Sequence, residues 1–177
     1  MSEAGGSRRQ ARERALSLLY EAESKEVSPA AVLAGLPVEP DAYAAAVVAG
    51  VGDRMAELDA LITAYARDWT IDRMPALDRA LLRMGIFELL HRADVPTGAV
   101  ISEAVELAQR FSTDESSRFV NGMLARIAEA VRQAPSGALS GEDASHAEPV
   151  DPEAVGTDPA EDHQPPTGEV VEERLHQ

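Results

Sequence analysis

Apolar residues recur over the first 134 positions at steps of three and four, the spacing that puts them on one face of an α-helix. Ala11, Ala15, Leu18, Leu19 and Ala22 share such a face, and Ser7 with Gln10 has the spacing of a capping box, so a helix is expected from Ser7. Ser28 before Pro29 reads as an N-cap and first-turn proline, opening a short helix that ends near Gly35 and Pro37. After Pro40, the residues Val47, Val48, Val51, Met55, Leu58, Ile62 and Tyr65 predict one long amphipathic helix, loosened at Gly50 and Gly52. From Pro75 the segment holding Leu77, Ala80, Leu81, Leu82, Met84, Ile86, Phe87, Leu89 and Leu90 leaves little polar surface. A helix apolar nearly all round is a central, buried one, and it stops before Pro96. Residues 99–111 and 115–132 predict two more helices, the second carrying Phe119, Val120, Met123, Leu124, Ile127 and Val131. Gly122 in its interior costs about 1 kcal/mol against Ala and so predicts close backbone packing. Six helices with short connections and no strand pattern of useful length make an all-α, bundle-like domain over residues 1–134.

Composition agrees: hydrophobic residues make up 45% but aromatics only 4%, a profile that suits helices packed on helices better than a β-sandwich. Beyond Ala134 the chain is rich in Pro, Gly, Ser, Asp and Glu and poor in large apolar residues. Residues 135–177 are therefore expected to be a disordered acidic tail. That tail holds 11 acids against Arg174 alone, so it supplies -10 of the net charge of -15. The remaining 134 residues hold 20 acids and 15 bases, and Arg8 to Arg14 carries four arginines against Glu13. The sign of the whole chain is thus a poor guide to its partners; the local pattern decides.

Little catalytic apparatus is present. There are no cysteines, and only His91 of the four histidines precedes the tail, so neither a thiolate nucleophile nor a zinc site is expected. His91 is expected near a helix C-terminus, where a cation is favoured. The single lysine, Lys25, lies outside any glycine-rich phosphate loop, and no nucleophile elbow occurs. Glu103 and Glu106 share a helix face and read as solvated surface. The expectation is a protein without cofactor or metal and not an enzyme. Without a signal-peptide core or a span of roughly 20 apolar residues, it is expected to be cytoplasmic and off the membrane.

The Arg8–Arg14 run opposes the dipole of the helix it opens, so helix stability alone would not choose it. On a helical wheel Arg8, Arg9, Arg12 and Tyr20 fall to one side of the apolar stripe and Arg14 on the other flank. Three guanidiniums beside an aromatic suit phosphates and a stacked base, although short basic runs are also common on ordinary solvated faces. Farther on, Phe119 lies one turn after Glu115 and on the same side. Burial statistics alone would make Phe119 core.

Three stretches together resemble the NusB family of antitermination factors: RRQARERALSLLY, DRMPALDRALLRMGIFELL and DVPTGAVISEAVELAQRFSTDESSRFVNGMLARI. They follow the family's order and extend over most of residues 8–132, departing at Gln10, where a third consecutive base is common, and by the acidic tail. The resemblance implies two packed three-helix bundles. It also implies binding to the single-stranded boxA element of nascent ribosomal RNA, within the transcription elongation complex, as a heterodimer with the ribosomal protein NusE. Carried over by position, Arg8, Arg9, Arg12 and Tyr20 would face RNA, Arg83, Glu115 and Phe119 would line the other bundle's share of the site, and Asp78 would lie on the NusE side. A homodimer covering the arginine face is compatible with the same residues. Two other classes remain open: an adaptor that binds proteins without RNA, and the RNA-binding part of a ribosomal RNA methyltransferase. The second would need some 200 further residues for a cofactor domain.

Overall fold

In the computed structural model, residues 3–66 and 69–133 are described, with side chains from Arg8 onward; the tail expected over residues 135–177 lies outside them. The described residues form seven α-helices: α1 (Glu3–Ser24), α2 (Pro29–Ala34), α3 (Ala42–Asp53), α4 (Met55–Tyr65), α5 (Ala76–His91), α6 (Thr97–Phe111) and α7 (Asp114–Gln133), with a 3₁₀ turn at Ile71–Arg73 before α5. Helix α1 packs on α2, α3 and α5, and α6 and α7 pack on each other and on α5. Helix α4 lies against α5 and α7. The architecture is thus two groups of three helices, α1–α3 and α5–α7, joined through the buried α5.

Most of the expected core is buried: Ala11, Ala15, Leu18, Leu19 and Ala22 of α1, and Leu58, Ile62, Leu81, Leu82, Met84, Ile86, Val120, Met123, Leu124 and Ile127, while Met55, Tyr65, Leu77, Leu89, Leu90 and Val131 are only partly buried at its edge. Ser28 caps α2 by accepting from the Ala31 amide at 3.1 Å, with Pro29 in the first turn. Thr113 caps α7 in the same way, its Oγ1 3.1 Å from the Ser116 amide nitrogen. His91 is the last residue of α5, with Nε2 3.5 Å from Glu57.

Four local expectations need correction. Helix α1 begins at Glu3, so Ser7 lies inside it and is not its N-terminal residue. The long helix after Pro40 is two helices, giving seven rather than six, because Arg54 leaves helical geometry (φ -118°, ψ 20°) and redirects the chain. Gly50, just before that break, is the point where α3 meets the Phe87 ring; a Cβ there would collide with it, so the glycine sets the close approach of α3 to α5. Gly122, by contrast, has nothing within 4 Å of where its Cβ would stand, so it marks no close packing. Finally, Glu103 and Glu106 are not idle surface: both are paired with Arg9 of α1.

Candidate nucleic-acid interface

The arginine run occupies the first described turns of α1, where that helix passes the α5–α6 loop and α6. Arg8 reaches Asp94 at 3.2 Å, and Arg9 reaches Glu103 at 3.0 Å and Glu106 at 2.8 Å. Farther along, Glu13 accepts from Arg110 at 2.8 Å. Asp94 also accepts from Arg92 at 2.9 Å; that hydrogen bond holds its carboxyl below the usual range, with Arg8 adding to the effect. Most of these groups are half exposed, so their partners are exchangeable. Exposed ion pairs contribute little net stability, and an incoming phosphate can replace a carboxylate on the same guanidinium.

Arg12 differs from its neighbours. It is 4% exposed, and its Nε lies 2.9 and 3.2 Å from the two carboxylate oxygens of the equally buried Glu88. Tyr43 of α3 donates its hydroxyl to the same carboxylate and lies 3.2 Å from Arg12 Nη2. The expected exposed trio of guanidiniums is therefore a pair. Arg12 sits one helical turn from Arg8, but it points into the α1–α5 seam and ties three helices together. Arg8, Arg12 and Arg92 all lie within 4.4–5.6 Å of the Tyr43 ring centre, where cations are attracted to the aromatic face.

Burial, and then the hydrogen bond to Glu88, push the Tyr43 hydroxyl up to about 12 from 10.0. A raised folded-state value means that unfolding releases the phenolic proton first. Stability from this group is intact below pH 10 and is lost as pH climbs toward 12. Denaturation midpoints of the native protein should therefore fall more steeply over that range than those of Tyr43→Phe. Parallel curves would show that the folded protein does not hold the Tyr43 hydroxyl above its ordinary value.

The other expected residues divide into two places. Tyr20 is 46% exposed and faces a groove with Leu16, Leu77 and the exposed Phe111. That groove shares Pro75, Ser112 and Thr113 with a second cleft, which holds Asp78, Glu115 and Phe119. Asp78 is buried and accepts from Ser112 Oγ at 3.0 Å, so it braces the α6–α7 turn between the two depressions rather than meeting solvent. Phe119 is half-buried: one side packs on the core, and its ring centre stands 5.4 Å from that of Trp69. Arg83 is not brought to this cleft. Its guanidinium is held by Asp59 at 2.7 and 2.9 Å and by Glu23 at 3.0 Å, on the α1–α4–α5 side.

Sequence reasoning passed over Trp69, Arg126, Glu88 and Tyr43. Trp69 stands alone in a polar stretch outside every apolar repeat, which is a signal for an exposed aromatic. Glu88 interrupts the most apolar helix, a signal for a buried partner. Among the described residues no group of three or more His, Asp or Glu could hold a metal ion, and no described helix is long and apolar enough to cross a membrane.

Comparison with known proteins points one way. The NusB family matches residues 9–129. A transcription antitermination protein NusB of Kineococcus radiotolerans is 50% identical over 127 residues, covering 70% of this chain and 93% of that protein. Its counterpart in Clavibacter sepedonicus is 50% identical over 133 residues, covering 70% and 97%. Among solved structures, T. maritima NusB matches with a TM-score of 0.63 at 30% identity, over 69% of this chain and 90% of that one. A structure of the antitermination factors NusB and NusE in complex with double-stranded RNA matches with a TM-score of 0.60 at 28% identity, over 70% and 96%.

Proposed function

We propose that this chain, which belongs to the NusB family of transcription antitermination proteins and not to a family of enzymes, binds the boxA element of nascent ribosomal RNA together with NusE. Arg8 and Arg9 take phosphates by exchanging their exposed carboxylate partners, and Phe119 offers an aromatic ring to an unpaired base, with Glu115 at the same rim. Tyr20 lies about 16 Å along α1 from Arg9, at 1.5 Å per residue, on the way between the two. Arg12 and Arg83 serve the site from behind: their ion pairs hold α1 and α4 against α5. The apolar groove of Leu16, Leu77 and Phe111 seats NusE, with Asp78 keeping the Ser112 turn in place.

The observation that carries this reading is the pairing of an exchangeable arginine face with a half-exposed aromatic cleft on one helical body. The net charge of -15 makes unaided binding weak, so a basic partner that adds phosphate contacts fits the same picture. The experiment is RNA binding by single-stranded boxA, its duplex and a scrambled strand, each with and without purified NusE. Single-stranded boxA should bind tightest and only the NusE-containing mixture should reach high affinity. If neither mixture binds RNA while NusE still binds, the protein is an adaptor.

Arg8→Ala with Arg9→Ala should flatten the log–log salt dependence by roughly 0.7 per lost contact, about 1.4 in all for a single strand. An unchanged slope would remove these two arginines from the interface.

A further inference from the structure

The cleft that holds Phe119 has an opposite wall that the proposed interface leaves without a role. Trp69, on the segment between α4 and the 3₁₀ turn, is 46% exposed and meets Phe119 edge-on, with ring planes 67° apart. The depression that the two rings help to line has a volume of about 630 Å³, within the roughly 300–1,000 Å³ typical of small-molecule sites. Arg126 of α7 completes the wall. Its Nε lies 3.2 Å from the Gly122 carbonyl oxygen and its Nη2 3.3 Å from Met123 Sδ, and among the described residues it pairs with no carboxylate. The N-terminal arginines Arg8, Arg9 and Arg12 are all so paired; this one keeps its charge for a ligand.

We propose that Trp69 is a second stacking platform, so that the cleft lined by the Trp69–Phe119 pair takes one unpaired nucleobase of the RNA against its aromatic wall, with an adjoining phosphate on Arg126. The inference rests on the RNA-binding function proposed above and adds to it the residues that grip the base. A base has two π-faces and a hydrogen-bonding edge. The cleft offers aromatic surface from two elements, and Glu115 also lines it; the Thr113 and Ser116 hydroxyls in its lining are bonded to each other and within the α6–α7 turn. The neighbouring groove of Leu16, Leu77 and Phe111 shares Ser112 and Thr113 with this cleft but has neither the Trp69–Phe119 pair nor Arg126.

Trp69 is the chain's only tryptophan, so its emission reports on this cleft alone. The full chain is titrated with a short single-stranded boxA oligonucleotide, with and without NusE, subtracting the emission of NusE measured in parallel. Binding is followed independently by anisotropy of the same RNA carrying a fluorophore. Trp69 emission should be quenched with the same midpoint as the anisotropy change. Trp69→Ala should weaken binding about five- to a hundredfold, Trp69→Phe should keep most of the affinity, and Arg126→Gln should lower the salt slope by roughly 0.7. Should Trp69→Ala fold poorly, the quenching of the native protein and the Trp69→Phe variant decide. Anisotropy that rises while emission stays unmoved overturns the inference and leaves the RNA-binding function standing. Emission that moves with NusE alone and not further with RNA makes the cleft a protein seat and overturns it as well. Equal quenching by a duplex rules out an unpaired base, and no binding by either readout overturns both proposals.

Discussion

Glu88→Ala should destabilise the domain by about 3–5 kcal/mol, the cost typical of leaving one member of a buried ion pair unpaired. Arg12 would be left 4% exposed with no carboxylate, and Tyr43 would lose the acceptor of its hydroxyl. Domains of this size are stable by only about 5–15 kcal/mol, so the loss is a large part of the total. Urea denaturation midpoints measure it directly. The double variant Glu88→Leu with Arg12→Met should recover most of the loss, because apolar residues of similar volume replace both charges at once. A single-variant loss under about 1 kcal/mol would mean that Arg12 is free to swing out and join Arg8 and Arg9 at the surface. The expected result instead makes Glu88 the anchor that holds the arginine-bearing helix against α5.

Phe119→Ala should weaken RNA binding by about 1–3 kcal/mol, the usual contribution of a base stacked on an aromatic. Because Phe119 is only half-buried, the same variant should lose about 1 kcal/mol of stability, roughly half of what full burial of such a side chain contributes. The two measurements together decide the residue's role. A stability loss of about 3–5 kcal/mol with unchanged RNA affinity of the folded fraction would make Phe119 a core residue and nothing more. Phe119→Tyr should keep the affinity, since the ring and not its edge chemistry does the stacking.

Much of this architecture follows from local rules. The apolar repeats in α1, α5 and α7 needed only the 3.6-residue period to show which faces would be buried, and Ser28 with Pro29 opened α2 by cap chemistry alone. The all-α class, the central place of α5 and the position of His91 at its end were legible in the same way. Phe119 one turn after Glu115 was visible too, but burial statistics alone would make it core; its place in the site came from the family resemblance. The likeness to the NusB family was carried by contiguous stretches, and contiguity is what a sequence displays best.

The outcomes that depend on distant partners were decided by tertiary structure. Nothing local distinguishes Arg12 from Arg8 and Arg9; only the arrival of Glu88, 76 positions on, and Tyr43 turns it inward. Arg83 is drawn from the expected site for the same reason, by Asp59 and Glu23 on two other helices. The break at Arg54 is a change of backbone angles that a periodic pattern of valines does not encode. Trp69 and Phe119, 50 positions apart, meet only because α4 and α7 pack on one another. A helical sequence determines which face of each helix is apolar, since that depends on neighbours three and four residues away. Which charge becomes buried and which aromatics form a cleft depends on the docking of helices, where the fate of each side chain is set by groups that the chain brings from far along its length.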